Sequence, residues 1–191
     1  MNNYNEISKV TGLLKNRLQM VVDEIDPESK LTFVRPDRID IEGGKRGINI
    51  FLYQVLPNPT LRNISYYKNP ENEGDTPTHT RKIIPVDIYY LLTFFTHEGQ
   101  QDIQHRSLEG TVCVMESYPT LDITYNTGDT DTLHSSLMSL DEKAISKFWS
   151  TLTYQLSIAY EITSVKLSLG ETPLAQRVSD PAIHVTPSNP A

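Results

Sequence analysis

Cysteine is almost missing from this sequence: Cys113 is the only one among 191 residues. One thiol excludes an intramolecular disulfide and a cysteine zinc cluster, and it fits synthesis in a reducing compartment. Long apolar runs are missing too. No stretch approaches the roughly 20 residues needed to span a bilayer. The N-terminus, MNNYNEISKV, is polar and lacks the apolar run of a signal peptide. The expectation is a chain made in the cytoplasm without a signal peptide and with no membrane as partner. Cations are in short supply, with 17 Lys and Arg against 24 Asp and Glu, a net charge of -7. Neutralising phosphates takes a basic face, so this balance argues against a nucleic-acid partner.

Catalytic and cofactor motifs are missing as well. Gly43-Gly44-Lys45-Arg46-Gly47 lacks the spacing and the Lys-Ser/Thr pair of a phosphate loop. No dinucleotide fingerprint and no Gly-x-Ser-x-Gly elbow occur. The five histidines, His79, His97, His105, His134 and His184, form no metal spacing. Asp129 and Asp131 fall short of a calcium loop, which needs more oxygen ligands and a distal Glu. No catalytic, metal or cofactor residue is nominated. Cys113 is expected to be a small buried hydrophobe within a helix.

What the chain does have is a foldable pattern: 38% hydrophobic and 21% charged residues, enough for one domain with a real core. A helix is expected over 5–25, because Ile7, Val10, Leu14, Leu18, Val21 and Ile25 recur at the helical period. Leu13 and Met20 sit seven apart on its outer flank, either as ordinary exposed apolar residues or as an intersubunit strip. Residues 31–35 read as a short strand. The glycine-rich turn is expected to close a hairpin between 38–41 and a strand at 48–55, with apolar residues on both of that strand's faces. Pro57-Asn58-Pro59 stops it.

A polar surface loop is expected over 66–82, then a long strand over 83–95. Ile84, Val86, Ile88, Tyr90, Leu92 and Phe94 share one face of that strand. Asp87 lies on the other face and needs an arginine or backbone amides as partners if buried. A helix over 101–117 presents Leu108, Thr111, Val112 and Met115. A short strand at 122–126 and a polar loop follow. Ser139 and Glu142 form a capping box for a third helix, carrying Ile145, Phe148, Trp149 and Leu152. A last strand at 156–169 shifts phase near Thr163-Ser164, which signals a bulge. Beyond Gly170 the chain is rich in proline. The fold class is α+β, with a mixed, mainly antiparallel sheet flanked by about three helices. The domain spans 1–170, and 171–191 is an extended tail.

Four segments carry a family resemblance: INIFLYQVLPNPTLRN (48–63), PVDIYYLLT (85–93), HRSLEG (105–110) leading to YPTL (118–121), and FWSTL (148–152) with IAYEI (158–162). In this order and spacing the chain resembles the N-terminal domain of the cap, or tail-terminator, proteins of extracellular contractile injection systems, of the Photorhabdus virulence cassette and antifeeding prophage type. The likeness runs from residue 5 to about 169. The chain ends soon after this domain, so no activity of an added C-terminal domain is carried over.

The resemblance implies a tail-terminator-like fold and a structural role without cofactor or turnover. The protein would form a homo-oligomer, a hexameric ring, on the inner-tube and sheath subunits. It would end their polymerisation, set particle length, and be part of a particle released from the cell. The segment Asn58, Pro59, Thr60, Leu61, Arg62 and Asn63 is the best candidate interface, since Arg62 can make forked contacts. It also reads as a rigid turn supporting the core. Residues 171–191 read either as a disordered tail or as a strand added to a neighbour's sheet edge. Three alternatives stay open: a phage tail-completion or connector subunit, a small enzyme whose site assembles only in three dimensions, and a solitary ligand-binding module.

Overall fold

The structure, a computed structural model, describes residues 5–61, 66–67, 79–97, 99–140 and 155–173. Two α-helices and seven strands are found there: α1 (Glu6–Ile25), β1 (Lys30–Thr32), β2 (Gly47–Pro57), β3 (Tyr66–Tyr67), β4 (His79–Phe95), α2 (Gln101–Ser117), β5 (Thr120–Thr124), β6 (Thr130–Met138) and β7 (Leu156–Pro173). The strands form one mixed sheet in the order β1-β2-β4-β7-β6-β5, with β3 pairing β4. Only the β1–β2 pair is parallel; every other ladder is antiparallel. The α+β class is as expected. The third helix expected from the Ser139 capping box lies outside the described residues.

The two helices cover one face of the sheet, because their apolar stripes match its period-2 face. Val10, Leu14, Leu18, Val21 and Val22 of α1 and Met115 of α2 meet Ile48, Ile50, Ile88, Tyr90, Leu92 and Phe94 in one buried cluster. Burying a side chain such as Leu14 or Leu18 completely contributes about 1.5–3 kcal/mol. Gly110 lets the helices approach: a Cβ there would lie 2.9 Å from Val21 Cγ1 and 3.0 Å from Ile25 Cδ1. Tyr90 is fully buried with its hydroxyl 2.8 Å from Thr11 Oγ1, so its polar end is satisfied inside the core.

Several expectations are corrected. The hairpin between 38–41 and β2 does not form. Residues 36–38 and 42–44 are short 3-10 turns, and β2 instead pairs in parallel with β1. Gly47 makes this possible: its φ is 153°, and a Cβ would lie 1.9 Å from the Lys30 carbonyl oxygen. Only the first four residues of β2 are buried, and the strand becomes exposed toward Pro57. Part of the 66–82 loop is strand: β3 and the first residues of β4 pair with each other.

The polar loop expected after β5 is in large part strand β6, with Leu133 and Ser135 facing inward. Ser107, Thr111 and Met115 form the buried line of α2, whereas Leu108 and Val112 are half-buried. Cys113 is helical but exposed. The bulge in β7 is present: Ser164 has φ 67°, and the β4 register jumps from Val86↔Val165 to Ile88↔Ile162. Strand β7 runs on past Gly170 to Pro173.

Candidate assembly interface

The turn after β2 is organised by one side chain. Asn58 Oδ1 accepts the amides of Thr60 and Leu61, both at 3.0 Å. Its own N–H donates to Pro85 O at 2.9 Å, and Nδ2 donates to Asp87 Oδ1 at 2.9 Å. Asp87, only 7% exposed, also accepts the Ser164 amide at 3.0 Å. One carboxylate therefore ties the turn after β2 to the bulge in β7. A buried carboxylate is tolerable here because two donors meet it, and a backbone amide is one of the partners anticipated for it. Asn58 thus positions the turn, Pro59 is exposed and Leu61 is half-buried. Arg62 and Asn63 lie outside the described residues.

Beyond this clamp the sheet narrows to a ribbon of β4 and β7, joined by β3 on the β2 side. Val55, Leu56 and Ile84 are exposed around its base. The middle of the sheet is held by Tyr89, whose hydroxyl donates to Glu161 Oε1 at 2.7 Å. That bond, with burial and the neighbouring acidic groups, pushes the Tyr89 phenol up to about 12. The Tyr53 ring lies against it at 6.1 Å between centroids.

The opposite edge of the sheet is built differently. In α1, Glu6, Lys9, Leu13, Arg17 and Met20 are spaced three, four, four and three apart, so they share a face. Ser135 N–H donates to Pro119 O and Tyr125 N–H to Asp129 O, which places the backbone groups of residues 120, 122 and 124 on the outer edge of β5. The α1 row meets them. Arg17 Nη2 donates to Thr120 O at 2.7 Å and Nη1 to Tyr118 O; Lys9 Nζ donates to Thr124 O at 2.8 Å. Glu6 Oε1 accepts the Asn126 amide at 2.8 Å. Leu13 is half-buried against the core, and Met20, one turn past Arg17, is 58% exposed. Leu13 and Met20 are legible in the sequence as a flank; the roles of Glu6, Lys9 and Arg17 are not. Their signal was the shared spacing.

A cleft of about 420 Å3 beside β1 is lined in part by Lys30, Thr32, Val34, Arg38, Ile39 and Phe95. Two of the cations on its wall are already paired: Arg46 with Asp26 and Glu28, and Lys45 with Asp40. The Arg46 hydrogen bond holds the Asp26 carboxyl down at about 2. Among the described residues the lining carries no histidine, cysteine or serine. Among the described residues no group of three His, Cys, Asp or Glu side chains is placed to hold a metal, and no helix is long and apolar enough to cross a membrane.

Two comparisons with known proteins agree with this architecture. Residues 9–180 match the model of the Pvc16 N-terminal domain. No curated protein matches the chain. Among solved structures, the chain is similar to the sheath/tube terminator of PVC, an extracellular contractile injection system, seen in its extended state. The TM-score is 0.63 at 16% identity, covering 100% of this chain and 65% of that one. It is also similar to the cap of the anti-feeding prophage, a tube-terminating cap, with TM-score 0.58 at 16% identity over 92% of this chain and 60% of that one. The chain thus spans under two thirds of the length of either protein. The match over most of its length shows that the chain belongs to the Pvc16 N-terminal domain family.

Proposed function

We propose that this protein caps a phage-tail-like contractile injection particle, ending the inner tube, the sheath or both and so setting particle length. The observation that carries this reading is the shared fold: a terminator and a tube-terminating cap align with all, or nearly all, of this chain. The role is one of assembly without turnover. A hexameric ring suits it, because a heterologous contact between copies closes on itself only when its rotation completes a ring. Once closed, the ring offers one surface to the particle and another that cannot continue the lattice. On this reading the partners are sheath and tube subunits, and the protein leaves the cell as part of the particle.

The surfaces available for such contacts are the Asn58–Leu61 turn, the exposed Val55, Leu56 and Ile84, and Met20 with Tyr118 at the end of the α1 row. Exposed apolar residues grouped at a sheet edge mark an interaction site more often than isolated ones do. Deleting the gene and imaging the particles tests the proposal. Tubes or sheaths of abnormal length, or loss of assembled particles, is the expected result. Particles of normal, uniform length would refute it.

A further inference from the structure

The cleft beside β1 lies on the face of the sheet away from the helices. Register puts it there. Lys30 pairs with Gly47 and Gly47 with Phe95, while Thr32 pairs with Asn49, so Lys30, Thr32 and Phe95 share one face. Leu31, between the first two, packs on the other side against the helix core. Apart from Phe95, the described lining comes from residues 28–46 alone.

The wall opposite β1 is held in shape by hydrogen bonds and ion pairs. Asp40 accepts the Glu42 amide at 3.0 Å and pairs with Lys45. Gly43 and Gly44, at φ 67° and 77°, supply the turn that brings Lys45 back to Asp40. Arg46 pairs with Asp26 and Glu28, and its carbonyl accepts the Lys30 amide at 3.0 Å. The charges of Lys45 and Arg46 are therefore neutralised within the wall. Lys30 and Arg38 differ. Both are exposed, and among the described residues neither side chain has an ion pair or hydrogen-bond partner. Two unmatched cations thus face a cleft of about 420 Å3 on a chain whose net charge is -7. Beside them Val34 and Ile39 offer apolar surface to the same cleft.

We infer that this cleft docks an acidic peptide segment of a partner protein, its carboxylates meeting Lys30 and Arg38 and its apolar side chains resting on Val34 and Ile39. The mixture of charge and apolar surface selects the ligand class. An inorganic anion makes no use of Val34 and Ile39, and a wholly apolar ligand leaves both cations unmatched. Two cations are also far short of the basic face that a nucleic-acid backbone requires. The volume lies within the range of pockets that enclose ligand-sized groups. The site is a property of the isolated chain, so it stands or falls apart from the capping proposal; under that proposal the segment belongs to a tube or sheath subunit.

The test is fluorescence anisotropy on the full-length protein with a short labelled peptide alternating Glu and Leu. It should bind, and more weakly as salt rises. A Glu–Ser peptide should bind less well, and a Lys–Leu peptide not at all. Lys30→Gln combined with Arg38→Gln should weaken binding about tenfold, the combined effect of two exposed ion pairs. Lys15→Gln combined with Arg106→Gln removes the same charge from the helices and should leave binding unchanged. Arg38→Glu should lose the Glu–Leu peptide and gain the Lys–Leu one. Circular dichroism checks that each variant is folded. Absence of Glu–Leu binding, equal binding of Lys–Leu, or equal losses in the two double variants would overturn the inference. Displacement by the same concentration of inorganic phosphate or acetate would replace the peptide with a simple anion, and so would also overturn it.

Discussion

The two edges of the sheet are treated in opposite ways. Along β5, α1 lays Glu6, Lys9 and Arg17 over the outward backbone groups, so carbonyls of 118, 120 and 124 and the amide of 126 are all engaged. A strand arriving there would have to displace charge-assisted hydrogen bonds. Along β2, the buried Asn49 side chain holds the chain at Val34 where the pairing with β1 ends, and no described strand pairs with the outer side beyond it. A soluble protein normally blunts such an edge with lysine, proline or a covering element.

The largest expected effect comes from the residue at which the β1–β2 pairing ends. Asn49→Ala strips the Thr32 hydroxyl and the Val34 amide and carbonyl of their side-chain partner and leaves a cavity at a fully buried position. It should lower the unfolding free energy by about 2–4 kcal/mol, measured by urea denaturation. Hydrogen exchange should quicken at 31–34 and stay unchanged in β5. Next is the clamp at the ribbon's base. Asp87→Ala strips two donors of their acceptor and should cost about 2–3 kcal/mol. Asp87→Asn, which keeps an acceptor oxygen, should recover most of that loss; equal losses for both variants would assign the effect to packing instead.

Opening the closed edge is the third change. Arg17→Met keeps the apolar stem but frees the carbonyls of Tyr118 and Thr120, at about 1–2 kcal/mol. It should also introduce concentration-dependent self-association through β5, visible in sedimentation. An Arg17→Met chain that self-associates no more than the parent would remove the protective role assigned to that helix row. The smallest effect is a pH term at the β1 end. Asp26 titrates at about 2 in the folded protein against 3.8 ordinarily, chiefly because Arg46 hydrogen-bonds to it. A lowered folded pKa means folding favours the charged form. Its contribution is therefore complete above about pH 4 and lost as pH falls through about 2. Asp26→Asn should flatten the fall in stability across that window and change little at pH 7.

Much of this fold could be read from local patterns. Both described helices fall where the apolar period put them, and the β4 face from Val86 to Phe94 is buried as its alternation required. The phase slip at Thr163-Ser164 is a real bulge. The features that escaped depend on partners distant in sequence. Strand β6 has few apolar inward residues, chiefly Leu133 with Ser135, so its hydrophobic period was too weak to see. The parallel β1–β2 pair depends on Gly47 meeting Lys30, a contact no local rule encodes.

The candidate interface was partly legible. Asn58 was singled out, but its task is to build the turn and meet Asp87. Leu13 and Met20 read as a flank, whereas nothing local shows that Lys9 and Arg17, on the same face, meet an edge 100 or more residues away.

High-resolution electron microscopy of the distal end of the assembled particle tests the central claim most directly. The expected result is a ring of this chain directly beyond the last tube or sheath layer, with no added strand along β5. Particles whose ends are closed by another protein, with this chain absent, would contradict it.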